Sequence, residues 1–179
     1  MSSDTVNHGT LFIVAAPSGG GKTSLIRGLL EIDPKLALSV SHTTRPARPG
    51  EQDGQHYHFV SVAEYEQMVA NGEVVEHARV FDHFYGTSNQ AISAKLSQGL
   101  DVLLDIDWQG ARQVRDGYPD SCSIFIIPPS LEALRKRLQR RGQDSTRIIE
   151  RRMRDAQAEI SHWAEFDHLL INDDFDTAL

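Results

Sequence analysis

The chain has 179 residues, a length typical of one domain with a sizeable core, and 40% of its residues are hydrophobic. Its formal net charge of −7 argues against nucleic acid as a general partner, and no apolar run approaches the length of a membrane span. The only cysteine, Cys122, excludes an internal disulfide and a zinc cluster, indicates a reducing cytoplasm, and is interpreted as a small buried hydrophobe.

The first patterned stretch, residues 11–30, reads LFIVAAPSGGGKTSLIRGLL. Its apolar opening, Leu11–Ala15, predicts a buried strand, and leucine and isoleucine recur at helical spacing after residue 24. Between these two patterns, glycines break the strand just before Lys22 and Thr23. A strand, a glycine-rich loop and a helix with Lys-Thr at the junction form the context of a phosphate-binding loop.

The chemistry of such a loop depends on backbone N–H groups. Glycines let these groups curl around a phosphate, and the helix N-terminus adds unpaired N–H groups and the positive end of its dipole. Lys22 places a cation on the β- and γ-phosphates of a nucleoside triphosphate, and the Thr23 hydroxyl can ligate Mg²⁺. Ala16 stands where the usual motif has glycine, and Gly19–Gly21 supply the freedom nearer the phosphates. The alternative is a glycine-rich turn that binds no ligand.

A small mixed lobe is predicted between residues 41 and 88. A strand is expected over residues 36–40, after which prolines and a glycine exclude a helix from the segment SHTTRPARPG. Strands are expected again at residues 57–60 and 74–81. Between them Ser61 begins a helix over residues 62–71, with Glu64 at the capping-box position. These short elements interrupt the two halves of an α/β core.

The core pattern resumes with a helix over residues 89–97 and an apolar strand over residues 102–107 that ends in Asp105 and Asp107. An acid at the carboxyl end of a central strand is the usual second half of a Mg²⁺ site beside a phosphate-binding loop, and a solvated strand end is the alternative. Helices are then expected over residues 111–116, 131–141 and 146–165, and strands over residues 123–127 and 168–171. This alternation predicts a parallel sheet with helices on both faces and ligands at the carboxyl ends of its strands.

Basic residues are concentrated in two places. Nine lie between residues 135 and 154, on two helices around a Gly-Gln-Asp turn. Such a run is usually a solvated face, and most of the nine are interpreted that way. A few are expected to do more, because phosphoryl transfer requires cations where charge spreads over the migrating group. Arg45 and Arg48, three residues apart in an extended segment, can point to one anion, with a surface pair as the alternative.

Seven motifs together resemble the guanylate kinases in their bacterial form, over the chain from about Thr10 to the end. They are APSGGGKTS (residues 16–24), VSHTTRPARPGE (40–51), EHARVF (76–81), YGTS (85–88), LDIDWQGA (104–111), RLQRRGQDS (137–145) and INDDFDTAL (171–179). Members of that family normally continue with another helix after the last of these. The resemblance implies a fold of the P-loop NTPase type over residues 9–179. Its core would be residues 9–40 and 89–179, with a GMP-binding lobe at residues 41–88 and a helical lid at about residues 135–152.

The resemblance also implies transfer of the γ-phosphoryl group of ATP to GMP, giving ADP and GDP, with Mg²⁺, in cytoplasmic purine metabolism. The residues implied to hold ATP are Ala16, Pro17, Ser18, Gly19, Gly20, Gly21, Lys22, Thr23 and, near the adenine, Asn172. Those implied to hold GMP are Arg45, Arg48, Tyr57 and Tyr85 at its phosphate, Ser41, Glu76, Thr87 and Asp107 at its guanine, and Asp105. Thr23 and Asp105 lie on the Mg²⁺ side. The implied catalytic residues are Lys22, Arg45, Arg137, Arg141 and Arg152.

Two other functions compete with this one. Scaffold domains related to guanylate kinases bind partner peptides without catalysis, and Lys22, Thr23 and the arginines of the lid favour the enzyme over them. Among enzymes, the alternative is an adenylate or uridylate kinase. Glu76 and Asp107 argue against it, because guanine offers the N1–H and N2–H donors that a carboxylate needs and adenine lacks both. No feature of the sequence indicates an oligomeric state.

Overall fold

The computed structural model describes residues 8–80, 82–140, 142 and 145–179. Strands and helices alternate along most of this chain. In order they are β1 (Leu11–Ala15), α1 (Lys22–Ile32), β2 (Leu36–Leu38), β3 (His42–Thr43), β4 (His58–Phe59), α2 (Val62–Ala70), β5 (Val74–Val80), β6 (His83–Ser88), α3 (Asn89–Ser97), β7 (Asp101–Asp105), α4 (Trp108–Gly117), β8 (Cys122–Ile127), α5 (Leu131–Arg140), α6 (Thr146–Ile160), β9 (His168–Ile171) and α7 (Phe175–Ala178). No helix in this part of the chain is both long and apolar enough to cross a membrane.

Five strands form a fully parallel sheet in the order β2-β7-β1-β8-β9. In the centre, Ile13 of β1 lies opposite Leu104 of β7 on one side and Ser123 of β8 on the other. All carboxyl ends therefore lie along one edge, where β1 leads into the glycine-rich loop and β7 ends at Asp105. The predicted parallel sheet is confirmed, although Cys122 at the start of β8 is only partly buried.

The two faces of β1 pack against different helices, as the alternation of side chains along a strand requires. Ile13 belongs to a cluster of buried side chains that includes Ile92 of α3 and Val114 of α4. Val14 belongs to a second cluster, with Leu25 and Ile26 of α1. Full burial of such a side chain stabilises the fold by about 1.5–3 kcal/mol. Helices on both faces of the sheet are thus confirmed.

A second sheet, in the order β4-β3-β6-β5, lies between β2 and α3 in chain order, and we call residues 41–88 the small lobe. Helix α2 of this lobe begins with the predicted capping box, in which Ser61 and Glu64 bind each other's backbone N–H groups. Strand β5 changes register against β6 between Val74 and Glu76. Such a bulge re-aims the side chains that follow it.

The boundaries predicted around Asp107 were wrong. The strand expected to reach residue 107 ends at Asp105, and the helix expected from residue 111 begins at Trp108. The physical reason is the conformation of Asp107, which is extended and caps α4: its Oδ1 accepts the Gly110 N–H at 2.8 Å. The cap fixes this carboxylate at the edge where the parallel strands end.

The long helix predicted over residues 146–165 was also wrong at its C-terminal end. Helix α6 ends at Ile160 and a 3₁₀ turn follows over Trp163–Glu165. This turn lets Glu165 accept two hydrogen bonds, each of 2.6 Å, from Arg112 of α4. The fork pairing lowers the pKa of Glu165 to about 2.

Helices α5 and α6 pack together through their own apolar cluster, formed by Leu134, Leu138, Ile149, Met153 and Ala156. Their outer faces carry most of the predicted arginine run. Arg141, Gln143 and Asp144 lie outside the described residues.

Candidate active site

The glycine-rich loop presents backbone N–H groups at the start of α1. Gly19 and Gly21 have φ values of 92° and 97°, which only glycine adopts without strain, and the Gly20 N–H donates to Pro17 O at 2.8 Å. Gly21 precedes the helix and provides no side-chain cap. The N–H groups of the first turn are therefore left for a ligand, and an anion is what they and the helix dipole favour.

Lys22 lies between this loop and the end of β7. Its Nζ is 2.5 Å from Asp105 Oδ1 and donates to Ile106 O at 2.8 Å. The ammonium is therefore held at the carboxyl edge of the sheet instead of extending into solvent. Thr23, which follows it, is exposed in the first turn of α1.

Asn172, which follows β9, is buried against the back of the loop. Its Nδ2 donates to Gly20 O at 2.9 Å, and a Cβ on Gly21 would lie 2.2 Å from the same nitrogen, so only glycine fits there. Arg137 of α5 donates through Nη2 to Asn172 O at 2.7 Å. Its Nη1 is buried without a hydrogen-bond partner among the described residues, which leaves a guanidinium donor unused near the loop.

Helix α6 contacts the loop through two side chains that are seven residues apart and therefore share a helix face. Arg152 Nη1 donates to Ser18 Oγ at 3.2 Å. Burial raises the pKa of the Glu159 carboxyl, and the backbone N–H of Ser18 and the charge of Lys22 oppose that rise. Glu159 was not among the predicted site residues, although its spacing of seven from Arg152 carries the signal.

A buried hydroxyl–carboxylate chain lies in the small lobe. Ser41 Oγ is 2.9 Å from Thr87 Oγ1, which donates to Glu76 Oε1 at 2.8 Å. Glu76 is only 2% exposed. Its pKa is raised to about 7 overall: burial is the main cause and the charge of Asp107 adds to it, while the Thr87 hydrogen bond and the charge of Lys22 oppose the rise.

A second group in the small lobe surrounds Arg45, which pairs with Glu51 at 2.8 Å. The other Glu51 oxygen accepts the backbone N–H of Arg48, whose side chain is exposed. The Arg45 guanidinium lies 5.3 Å from the centre of the Tyr57 ring, which meets Tyr85 edge-on at 5.9 Å. Burial raises the pKa of Tyr57 to about 12. Glu51 was not among the predicted site residues, although it stands three residues after Arg48.

The small lobe and the carboxyl edge of the main sheet face each other. Gln113 of α4 exchanges two hydrogen bonds with the backbone of His77 in β5, at 3.1 and 3.0 Å. The charge of Lys22 reaches Glu76, and that of Asp105 reaches Tyr57. Helix α4 thus joins the small lobe to the carboxyl edge of the main sheet, and Asn172 lies behind the loop.

A parallel sheet, a phosphate-binding loop and an acid on the neighbouring strand define a class, the P-loop proteins that bind nucleotides and transfer phosphoryl groups. Residues 8–179 match the family model described as guanylate kinase. The chain is 58% identical over 171 residues to the guanylate kinase of Alkalilimnicola ehrlichii, covering 96% of this chain and 84% of that one. It is 59% identical over 173 residues to that of Chromohalobacter salexigens, covering 97% and 80%.

A solved structure agrees with these matches. The crystal structure of guanylate kinase from Anaplasma phagocytophilum is 36% identical and covers 96% of this chain and 81% of its own, with a TM-score of 0.77. The chain belongs to the guanylate kinase family, which makes it a nucleoside monophosphate kinase. The resemblance inferred from the seven motifs is confirmed.

Proposed function

We propose that this protein transfers the γ-phosphoryl group of ATP to GMP in the cytoplasm, where its single cysteine stays reduced. A phosphate oxygen of GMP attacks the γ-phosphorus, the bond to the β–γ bridging oxygen breaks, and ADP and GDP leave. The observation that carries the proposal is that the chain holds two complementary sites: an uncapped helix N-terminus beside Lys22, and a buried carboxylate, Glu76, that accepts the Thr87 hydroxyl in the small lobe.

On the donor side, the loop from Ala16 to Thr23 would hold the phosphates of ATP, with Lys22 at the β- and γ-phosphates. Asn172 would lie near the adenine and keeps the loop in place through Gly20. The Thr23 hydroxyl and the Asp105 carboxylate fit Mg²⁺, because this ion is usually held by one or two carboxylates together with substrate phosphates. When bound there, the ion neutralises charge on the phosphate oxygens.

On the acceptor side, two groups would hold GMP. Its phosphate would be bound by Arg45, Arg48, Tyr57 and Tyr85. Glu51 orients the Arg45 guanidinium through one oxygen and holds the backbone N–H of Arg48 with the other. Its guanine would be bound by Ser41, Glu76, Thr87 and Asp107. The ionised Glu76 carboxylate can accept both N1–H and N2–H, whereas the N1 lone pair of adenine would repel it.

The helical pair α5–α6 would supply cations to the phosphoryl group during its transfer. Arg152 already contacts Ser18 of the loop, and Arg137 retains a buried, unused donor beside Asn172. Arg141 completes the set by resemblance and lies outside the described residues. Cations placed where charge spreads in the transition state accelerate transfer without requiring tight ground-state binding.

The test is ADP release from ATP with GMP, dGMP, IMP, AMP and UMP as acceptors, and we expect GMP to have the highest kcat/KM. Glu76→Gln should lower kcat/KM for GMP at least about tenfold, because a hydrogen bond to a charged group contributes about 1.5–3 kcal/mol. The value for AMP should fall less or rise, and KM for ATP should stay unchanged.

Glu66→Gln, on the exposed surface of α2, serves as the matched control and should leave all of these values unchanged. A preference of the wild type for AMP or UMP would overturn the proposed substrate. Unaltered GMP kinetics in folded Glu76→Gln would move base recognition away from Glu76.

A further inference from the structure

The position of the Glu76 carboxylate depends on a glycine in a different part of the chain. Gly110 is buried in the first turn of α4. A Cβ built on it would lie 2.9 Å from Glu76 Oε2 and 3.4 Å from Glu76 Cδ. The shorter distance is well inside the roughly 3.5–4 Å at which non-bonded atoms attract. The carboxylate therefore occupies space that any other residue at position 110 would fill.

Backbone conformation does not explain this glycine. Gly110 is helical and is absent from the glycines with positive φ, so alanine could adopt the same conformation. Within a helix, glycine destabilises by roughly 0.5–1 kcal/mol relative to alanine. The sequence therefore accepts a cost in helix stability at position 110, and the close approach of Glu76 is the feature of the structure that accounts for it.

Glu76 cannot retreat without breaking other contacts. Its Oε1 accepts the Thr87 hydroxyl at 2.8 Å, so a shift of the carboxylate away from α4 would disturb that hydrogen bond. Gly110 also donates its own N–H to Asp107 Oδ1. One residue therefore sets the positions of both acids, through a missing side chain toward Glu76 and through its backbone toward Asp107.

We propose that Gly110 is a specificity-determining residue: its missing side chain lets the Glu76 carboxylate lie against the first turn of α4, beside Asp107, in position for the N–H edge of guanine. This inference rests on the proposed function and deepens it. The N-terminus of α4 is the positive end of the helix dipole and favours the negative charge of the Glu76 carboxylate. A methyl group at position 110 would displace Oε2 and misalign its hydrogen bonds, which weaken steeply with angle.

The test compares Gly110→Ala with Gly117→Ala, the same substitution at the other end of α4. There a Cβ would meet Val75 Cγ2 at 3.7 Å, an ordinary contact. In Gly110→Ala we expect kcat/KM for GMP to fall at least about tenfold, mainly through KM, since a hydrogen bond to a charged group is lost. KM for ATP should be unchanged. Gly117→Ala should keep the kinetics of the wild type.

A double-variant cycle separates crowding of the carboxylate from a general effect on the helix. Glu76→Asp shortens the acid, so adding Gly110→Ala to it should change kcat/KM for GMP by less than about twofold. A loss of tenfold or more in that background would overturn the inference, and so would kinetics like those of the wild type in Gly110→Ala alone. Should Gly110→Ala fail to fold, the comparison of the double variant with Glu76→Asp still decides. Absence of GMP turnover in the wild type would instead refute the proposed function.

Discussion

The phosphate-binding loop and the small lobe bind through different parts of the chain. The loop uses backbone N–H groups from one continuous stretch, shaped by Gly19 and Gly21 and supported from behind by Asn172. The small lobe uses side chains: Ser41 and Thr87, which are 46 residues apart, form a chain of hydrogen bonds that ends on Glu76. The first site is built by local conformation and the second by tertiary packing.

The two sites differ in what an absent ligand costs the folded protein. When no anion is bound, the N–H groups of a helix N-terminus are hydrogen-bonded to water. The empty site therefore carries no desolvation cost. A buried carboxylate is different, since it is desolvated before any ligand supplies donors, and burial raises its pKa. We therefore expect substitutions on the loop side to affect mainly turnover, and substitutions in the small lobe to affect both base choice and stability.

The largest expected effect is that of Lys22→Met, which tests whether the two sides are separable. Loss of the cation at the β- and γ-phosphates should lower kcat by at least about 10³-fold, because transfer depends on charge stabilisation. GMP affinity, measured by calorimetry, should change little, since Lys22 contacts Asp105 and Ile106 outside the small lobe. Lys35→Met, at an exposed position, is the control. Loss of GMP affinity together with activity would show that the division between the sides is wrong.

A smaller effect is expected for Arg152→Ala, which tests whether α6 serves the transferring group. We expect kcat to fall by about 10²–10³-fold, with a change of no more than a few fold in GMP affinity, as for an interaction made mainly in the transition state. Arg154→Ala, two residues along on the exposed face of the helix, should be close to the wild type. If both substitutions have small effects of equal size, Arg152 belongs to the solvated face of α6 and has no role in transfer.

Most of the fold could be predicted from the sequence because its signals are local. The strand, glycines and Lys-Thr of residues 11–23 specify a phosphate-binding loop within a dozen residues, and alternating patterns specify a parallel sheet. The errors arose where a polar residue changes role. The apolar pattern predicts Asp107 as the end of a strand, whereas its side chain caps the next helix. The helical pattern after Ile160 is interrupted by a turn held through the pairing of Glu165 with Arg112.

The candidate site was predictable in its residue types but not in its contacts. Nothing local in the sequence indicates that Gly110 lies against Glu76, because 34 positions separate them and only the packing of α4 on β5 joins them. The contact of Glu159 with Ser18 is equally non-local. Such pairs depend on tertiary structure, which periodicity along a single sequence does not report.

The smallest expected effect is on the stability of the ligand-free protein, and it again involves Glu76→Gln. Burial raises the pKa of Glu76 from 4.5 to about 7, so the folded state holds this proton more tightly than the unfolded state does. Between pH 4.5 and about 7 the folded state therefore binds more protons. The free energy of unfolding contributed by this group falls as pH rises through that window and is constant above it.

Glutamine carries no charge at any of these pH values, so Glu76→Gln should become progressively more stable than the wild type between pH 4.5 and 7. One pKa unit corresponds to about 1.4 kcal/mol, which places the full difference at roughly 3 kcal/mol for a rise from 4.5 to about 7. Urea unfolding at several pH values measures it. Saturating GMP should shrink or reverse the difference, since guanine gives the carboxylate its missing donors and the wild type binds it more tightly. Parallel pH profiles for the two proteins would show that the charge of Glu76 costs the empty lobe nothing, and the small lobe would then resemble the loop in its insensitivity to an absent ligand.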